Sequence, residues 1–379
     1  MLGSLLGAAF RAFKSVCLWT PVVFALSLFA EAYYAYVFVF CGVVVKEDAL
    51  CFALAAVFHL LLFFCLWSFA QTTFTSPARV PPYFHISDDE RRDLAHASRN
   101  PTRRAALFEA MATKRGVLTR VPGGGGVNYC DPCQRIKPDR CHHCSTCERC
   151  ILKMDHHCPW FNNCVCFNTY KFFLLTLFYI GLLCVYVFFS VSVYMWRQNM
   201  HHRLLLQSLH TMFLMTVGAA AFLSVGSFLC VHLNWVSRNC TTLESSRAPT
   251  FKERGDSFDL GRLRNFAEVF GSRPDLWLVP VFTSLGDGSR FPTRLHPDRN
   301  SIGPAPAPPP SSAATKDGGD KDAETESALT TTATTTADKF ARDVASAPPL
   351  AVTPERAGLP HPTKQSAGRS AHGAPSRKA

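Results

Sequence analysis

Four long apolar blocks constrain this chain more than any other feature. They run over roughly 17–45, 49–70, 172–195 and 211–236. Each meets the length of about 20 residues that a helix needs to cross a hydrocarbon core about 30 Å thick. The first block is much longer than the apolar run of about 7–15 residues in a signal peptide, and no small-residue cleavage site follows it, so it is read as a permanent span. With 48% hydrophobic and only 18% charged residues among 379, the chain is too apolar to be disordered throughout. The bunching of those residues argues against one soluble globular domain. The expected fold is an all-α polytopic membrane protein with four transmembrane helices.

Basic residues set the expected orientation. Arg11 and Lys14 precede the first block, and many Lys and Arg lie between Arg79 and Lys153, whereas the link between blocks one and two offers only Lys46. The positive-inside rule puts both termini and the segment between spans two and three in the cytosol, although Arg197 and Arg203 oppose it in the 197–210 link. A net charge of +11 can indicate nucleic acid or an anionic membrane face. With spans present the second is expected, with the lipid bilayer as a partner and no nucleic acid.

The organisation that follows begins with an N-terminus at 1–16, spans one and two within 17–70, and a linker at 71–127. The linker holds a helical stretch around Asp88 to Lys114 and a hinge at Gly123 to Gly126. A Cys/His-rich domain at 128–171 runs directly into spans three and four within 172–236, so its chemistry takes place at the membrane surface. A region of globular composition fills 237–300. The tail 301–379, rich in Ala, Pro, Thr and Ser, is expected to be disordered.

Nine of the 16 Cys fall within 130–166. Their spacing repeats: CxxC, nine residues, His, six residues, Cys, and then the same again fourteen residues on. The sets are Cys130, Cys133, His143 and Cys150, followed by Cys144, Cys147, His157 and Cys164. Three thiolates and one imidazole make a closed tetrahedral zinc site, and the interleaving of the sets predicts one compact two-zinc module. Metal binding would supply its folding energy, on the order of 10 kcal/mol or more per site. Spacing alone allows His142 and His156 in place of His143 and His157. Either way, one imidazole of the second pair remains beside Asp155 and Cys158. A thiol, an imidazole and a carboxylate are the parts of an activated nucleophile. The plainer reading is a carboxylate supporting a ligating His next to a spare thiol. Pro159 and Trp160 follow the thiol, and Trp favours the membrane interface.

The stretch NYCDPCQRIKPDRCHHCSTCERCILKMDHHCPWFNNC, residues 128–164, closely resembles the cysteine-rich domain of the DHHC family of protein S-acyltransferases, or palmitoyltransferases. Its place between spans two and three matches the family. Beyond span four, Thr241-Thr242-Leu243-Glu244 resembles the TTxE motif, and NFAEVFG at Asn265 to Gly271 resembles the aromatic C-terminal motif. The resemblance implies that Cys158 is the acylated nucleophile, His156 its base and Asp155 the orienting carboxylate, with His143 and His157 as ligands of two structural zinc ions. It implies a long-chain acyl-CoA, such as palmitoyl-CoA, as co-substrate and cysteines of membrane-associated proteins as acceptors. It also implies residence in an endomembrane, Golgi or ER, or else the plasma membrane, with the active site facing the cytosol. Lys137 and Arg140, in KPDR, match the family's KPxR and are the expected binders of CoA phosphates; a solvated basic face drawn to anionic lipid is the plainer reading. One departure is Cys166, where the family has Gly.

Other residues and readings weigh less. Glu31 and His59 lie inside spans, where packing and interhelical hydrogen bonds explain them as well as chemistry does. Thr241, Thr242 and Glu244 are expected to brace the module against the spans. A membrane-tethered zinc module of the ubiquitin-ligase kind would end in a further CxxC pair, but the last pair here is Cys164 and Cys166. A transporter relaying protons through Glu31 and His59 would need an internal repeat that the four spans lack.

Overall fold

The structure, a computed structural model, describes residues 2–197 and 208–299. The expected disorder of 301–379, and the link between spans three and four apart from its ends, lie outside these residues. Among the described residues four helices are long and apolar enough to span a membrane: Ala12–Val44, Asp48–Phe74, Tyr170–Arg197 and Leu209–Ser237. Hydrocarbon offers the backbone no partners, so each crossing segment satisfies its own N–H and C=O groups by coiling. The first span begins in α1 (Leu2–Tyr33) and ends in eleven residues of π-helix, Tyr34–Val44. The others are α2 (Asp48–Phe74), α5 (Tyr170–Arg197) and α6 (Ser208–Ser237). Inside α1, Glu31 is held by His210 of α6, with His210 Nδ1 2.8 Å from its carboxylate. Tyr33 Oη similarly meets His59 of α2 at 3.2 Å.

Between α2 and α5 the helical stretch divides in two. Ser87 caps α3 (Asp88–His96) in a reciprocal box with Glu90, and Asn100 caps α4 (Pro101–Lys114), which starts on proline. A proline tolerates the first turn of a helix but not its interior, which is why one helix cannot run through. The glycine run forms a turn closed by Val121 N–H to Gly126 O at 3.0 Å.

β1 (Thr119–Arg120) pairs with β8 (Thr250–Phe251), stitching the linker to the region after α6. The Cys/His segment then folds into three antiparallel hairpins. These are β2 (Tyr129–Cys130) with β3 (Arg135–Ile136), β4 (His142–Cys144) with β5 (Arg149–Ile151), and β6 (His156–Cys158) with β7 (Asn163–Val165). Their turns carry Gln134, Glu148 and Asn162 in the left-handed region, at φ of 48°, 55° and 47°.

The third hairpin is docked on the spans. Asn163 Nδ2 donates to the carbonyls of Thr72, Thr73 and Thr75 at 2.8–3.2 Å, satisfying acceptors that the end of α2 leaves without intrahelical partners. Phe161 and Val165 join Phe69, Phe173 and Leu174 in one buried cluster. After α6 come α7 (Thr242–Ser246) and α8 (Arg262–Phe270). The buried Asn265 ties α8 to the end of α6 by donating to Ser237 O at 2.8 Å. Lys171 Nζ holds the following loop through Leu276 O, Val281 O and Thr283 Oγ1 at 2.8–3.0 Å.

Candidate active site

Two closed ligand clusters form the module's interior. Cys130, Cys133, His143 and Cys150 make one, Cys144, Cys147, His157 and Cys164 the other, and within each the ligand atoms all lie within 4.8 Å of one another. His143 Nδ1 is 3.5 Å from Cys130 Sγ and 3.3 Å from Cys133 Sγ; His157 Nδ1 is 3.5–3.7 Å from the three sulfurs of its set. A tetrahedral ion with Zn–S bonds of about 2.3 Å and Zn–N of about 2.0 Å requires edges of about 3.5–3.8 Å. The donor atoms thus stand at the separations one ion would impose, and both clusters could hold zinc. Geometry selects between the histidines that spacing left equivalent, because His142 and His156 point into neither cluster.

The three hairpins are copies of one another. Cys130, Cys144 and Cys158 fall fourteen residues apart, as do the left-handed turn residues Gln134, Glu148 and Asn162. In the first two copies the leading Cys has a partner three residues on, Cys133 or Cys147; in the third that place is Phe161. A knuckle without its second thiol closes no metal site of its own. Cys158 is therefore left outside both clusters, whereas His157 and Cys164 from the same hairpin go to the second. The period of fourteen continued once more would have exposed this third copy in the sequence.

Cys158 is buried, and its neighbours form a chain of hydrogen bonds. His156 Nδ1 lies 2.6 Å from Asp155 Oδ2, and Cys158 follows two residues on along the same strand, on the same face. Asp155 also accepts from Thr242, through the backbone N–H at 2.8 Å and Oγ1 at 2.7 Å. Burial acts to raise the Asp155 carboxyl, but hydrogen bonds from His156 and Thr242 outweigh it and hold the group below the usual carboxylate range. Burial acts to lower His156, but Asp155 and Cys158 outweigh it and carry the imidazole up to about 9. An ionised carboxylate thus holds a strengthened base against a thiol.

The TTxE segment does more than brace. Thr241 caps α7 reciprocally with Glu244, which places Thr242 on Asp155. Glu244 in turn takes Arg140 Nε at 2.8 Å and Nη2 at 2.7 Å. This corrects the expectation for Arg140 as a phosphate binder. Its side chain has no exposed surface, two further N–H groups go to the Asn239 side chain and carbonyl at 2.9 Å, and its guanidinium lies 4.5 Å from the Phe258 ring. It is the internal strut of the KPDR turn, in the left-handed region at φ 65°. Lys153 is buried too, and desolvation pulls its ammonium down to about 7. Arg135, Lys137 and Arg149 stay half-exposed. Cys166, in place of the family's Gly, is fully buried, and its backbone and thiol bond Thr169 and Asn168 at the entry to α5.

An apolar cavity of about 810 Å³ opens from this group into the bundle. Cys158, Trp160 and Phe161 line one end, and Leu183, Val187 and Leu214 lie farther in. Phe173 and Val187 are fourteen residues apart on α5, about 21 Å along the axis at 1.5 Å per residue. A buried thiol with a base on one side thus faces a slot as long as a fatty chain on the other.

Comparison with known proteins agrees with this geometry. Residues 125–248 match the family model described as DHHC palmitoyltransferase. The chain is 42% identical over 282 residues to palmitoyltransferase ZDHHC20-B of Danio rerio, covering 73% of this chain and 83% of that one. It is 40% identical to human palmitoyltransferase ZDHHC20 (75% and 79% covered) and 38% identical to human palmitoyltransferase ZDHHC15 (76% and 86% covered).

Proposed function

The chain belongs to the DHHC palmitoyltransferases, and on that premise we propose that it moves a long-chain acyl group from acyl-CoA to cysteines of membrane-associated proteins through a thioester on Cys158. The enzyme is an integral membrane protein and a protein-cysteine S-palmitoyltransferase. The observation that carries the reading is the position of Cys158: a sulfur outside both metal clusters, two residues from His156 on one strand and lining the apolar cavity.

In the first step His156 takes the thiol proton while Asp155, itself fixed by Thr242, holds the ring. The thiolate then attacks the thioester carbonyl, and CoA leaves with the proton that His156 returns. A substrate cysteine reverses the sequence. Both steps exchange one thioester for another, so the task of the scaffold is placement more than driving force. Burial of the chain in the cavity is favourable at about 0.8 kcal/mol per CH2 and fixes the carbonyl beside the sulfur. The two zinc ions, when bound, supply structure by locking the hairpins. Lys137, half-exposed, is the residue of KPDR free to meet CoA phosphate. The basic segments before span one and between spans two and three support a cytosolic active site.

Incubation with labelled palmitoyl-CoA tests the proposal. A hydroxylamine-labile label on the purified protein is expected to vanish in Cys158→Ser and persist in Cys41→Ser. A label that survives in Cys158→Ser refutes the acyl-enzyme.

A further inference from the structure

Beside His156 lies a second buried imidazole that the steps above do not use. His232 belongs to α6 and has no exposed surface. Aromatic rings enclose it: Phe228 at 4.5 Å, Trp235 at 4.9 Å and Phe173 at 5.0 Å between centroids, with the His156 ring at 6.0 Å. Its Nδ1 meets Tyr170 Oη at 3.1 Å. Its Nε2 is buried and has no hydrogen-bond partner among the described residues.

The Tyr170 contact determines which nitrogen carries the proton. If the phenol donates to Nδ1, the ring proton sits on Nε2. The reverse arrangement would leave the buried phenolic O–H with no acceptor, adding a second unsatisfied group to the first. The arrangement with fewer orphans makes Nε2–H a neutral donor, fixed in direction and unpaired at rest. Its neighbours locate it. Phe228 and Val231 on its own helix line the apolar cavity, as do Phe173 and Cys158, and His232 packs directly behind Phe173 and Phe228 at that end of the cavity wall. The carbonyl of a thioester on Cys158 lies one bond from that sulfur, at the same end of the cavity.

Building on the acyl-enzyme reading, we infer that His232 is a catalytic residue whose Nε2–H donates to the thioester carbonyl oxygen as negative charge develops there. The Cys158 thiolate forms a bond to the carbonyl carbon, and the C=O π pair moves to oxygen, where Nε2–H stabilises it. The pair returns as the C–S bond to CoA breaks, and the departing thiolate takes its proton from His156. His232 itself neither gains nor loses a proton. Tyr170 is a positioning residue that keeps the proton on Nε2. Such a donor acts strongly because it is oriented beforehand in a water-poor site.

The test is single-turnover acylation of the full chain in detergent, with zinc content measured alongside. His232→Ala is expected to slow acylation by on the order of 10²–10³-fold, with the loss in kcat and little change in KM, because the oxyanion forms only after binding. His232→Gln keeps an N–H donor and is expected to recover part of the rate, and Tyr170→Phe to lose about tenfold. With carbonyl-¹³C palmitoyl-CoA, the C=O stretch of the acyl-enzyme is expected to move to higher frequency in His232→Ala and in Tyr170→Phe. Where His232→Ala proves zinc-poor or unfolded, Tyr170→Phe and the stretch decide. The inference is overturned if His232→Ala reacts at the wild-type rate, if Ala and Gln are equally slow, or if the stretch does not move. Persistence of the label in Cys158→Ser would instead sink the acyl-enzyme itself.

Discussion

If the apolar cavity holds the acyl chain, its usable depth sets which chains react, and Gly218 offers a way to shorten it. Gly218 lines the cavity from α6, and a Cβ built there meets no atom within 4 Å. Gly218→Phe therefore adds a ring to open space without moving the backbone. The reacting end of the cavity lies at the level of Phe173 and Phe228, whose rings are 6.0 Å apart and beside Cys158. From Phe228, ten residues of α6 reach Gly218, or about 15 Å at 1.5 Å per residue. With C–C bonds of about 1.5 Å at tetrahedral angles an extended chain advances about 1.25 Å per carbon, so about 12 carbons fit below the new ring. A palmitoyl chain exceeds that by about four CH2 groups, worth about 3 kcal/mol at about 0.8 each, or on the order of 10²-fold in preference. Offered an equimolar mixture of C12, C14, C16 and C18 acyl-CoA, Gly218→Phe is expected to carry C12 on Cys158 where the wild type carries C16, as read by mass spectrometry of the intact protein. Gly181→Phe, on α5 and outside the cavity, adds the same ring and is expected to leave the profile unchanged. An unchanged C16 to C12 ratio in a folded, zinc-loaded Gly218→Phe protein would refute the reasoning that this cavity is the acyl site.

Two further changes address the contacts behind Cys158. Thr242→Val removes the Oγ1 bond to Asp155 and keeps the backbone one; a charge-assisted bond of about 1.5–3 kcal/mol predicts acylation slower by about 10- to 150-fold at unchanged zinc content, and an unaltered rate would deny Thr242 its orienting role. Glu244→Gln leaves the Arg140 charge buried and uncompensated, which is expected to cost about 3–5 kcal/mol and to show as a lower Tm. Burial would raise the Glu244 carboxyl, but Arg140 outweighs it and the folded-state pKa is lowered. The contribution of the pair is therefore complete above the ordinary carboxylate pKa and lost as pH falls through the lowered folded value. Acid melts of the wild type should show that loss, and Glu244→Gln should flatten it.

The parts of this molecule legible in its sequence are those with a period. Spans announce themselves because a helix in hydrocarbon needs an unbroken apolar run, and the structure extends each expected block by a few residues at one end or both. Metal ligands announce themselves because CxxC and a distant His recur at fixed offsets. Pairwise tertiary choices leave no such trace. Nothing in the local sequence shows that Arg140 turns inward to Glu244 more than 100 residues away, so a basic residue in KPDR reads as surface charge until its partner is seen. His232 looks like one more residue of an apolar block until Tyr170 and the His156 ring are placed against it.

The third hairpin joins the two kinds of information. Two of the three copies carry the closing Cys of a metal knuckle, and the third has Phe161 there on the same hairpin backbone. Phe161 is 5.0 Å from the Phe69 ring in α2, so the same substitution that deprives Cys158 of a metal docks its hairpin on the spans and lines the mouth of the cavity. Under the proposed mechanism, nucleophile, base and acyl slot are brought together by one ring in place of one thiol. Restoring the thiol, as in Phe161→Cys, would undo both effects at once, because it removes the apolar anchor and offers the Cys158 sulfur a partner at metal-ligand spacing.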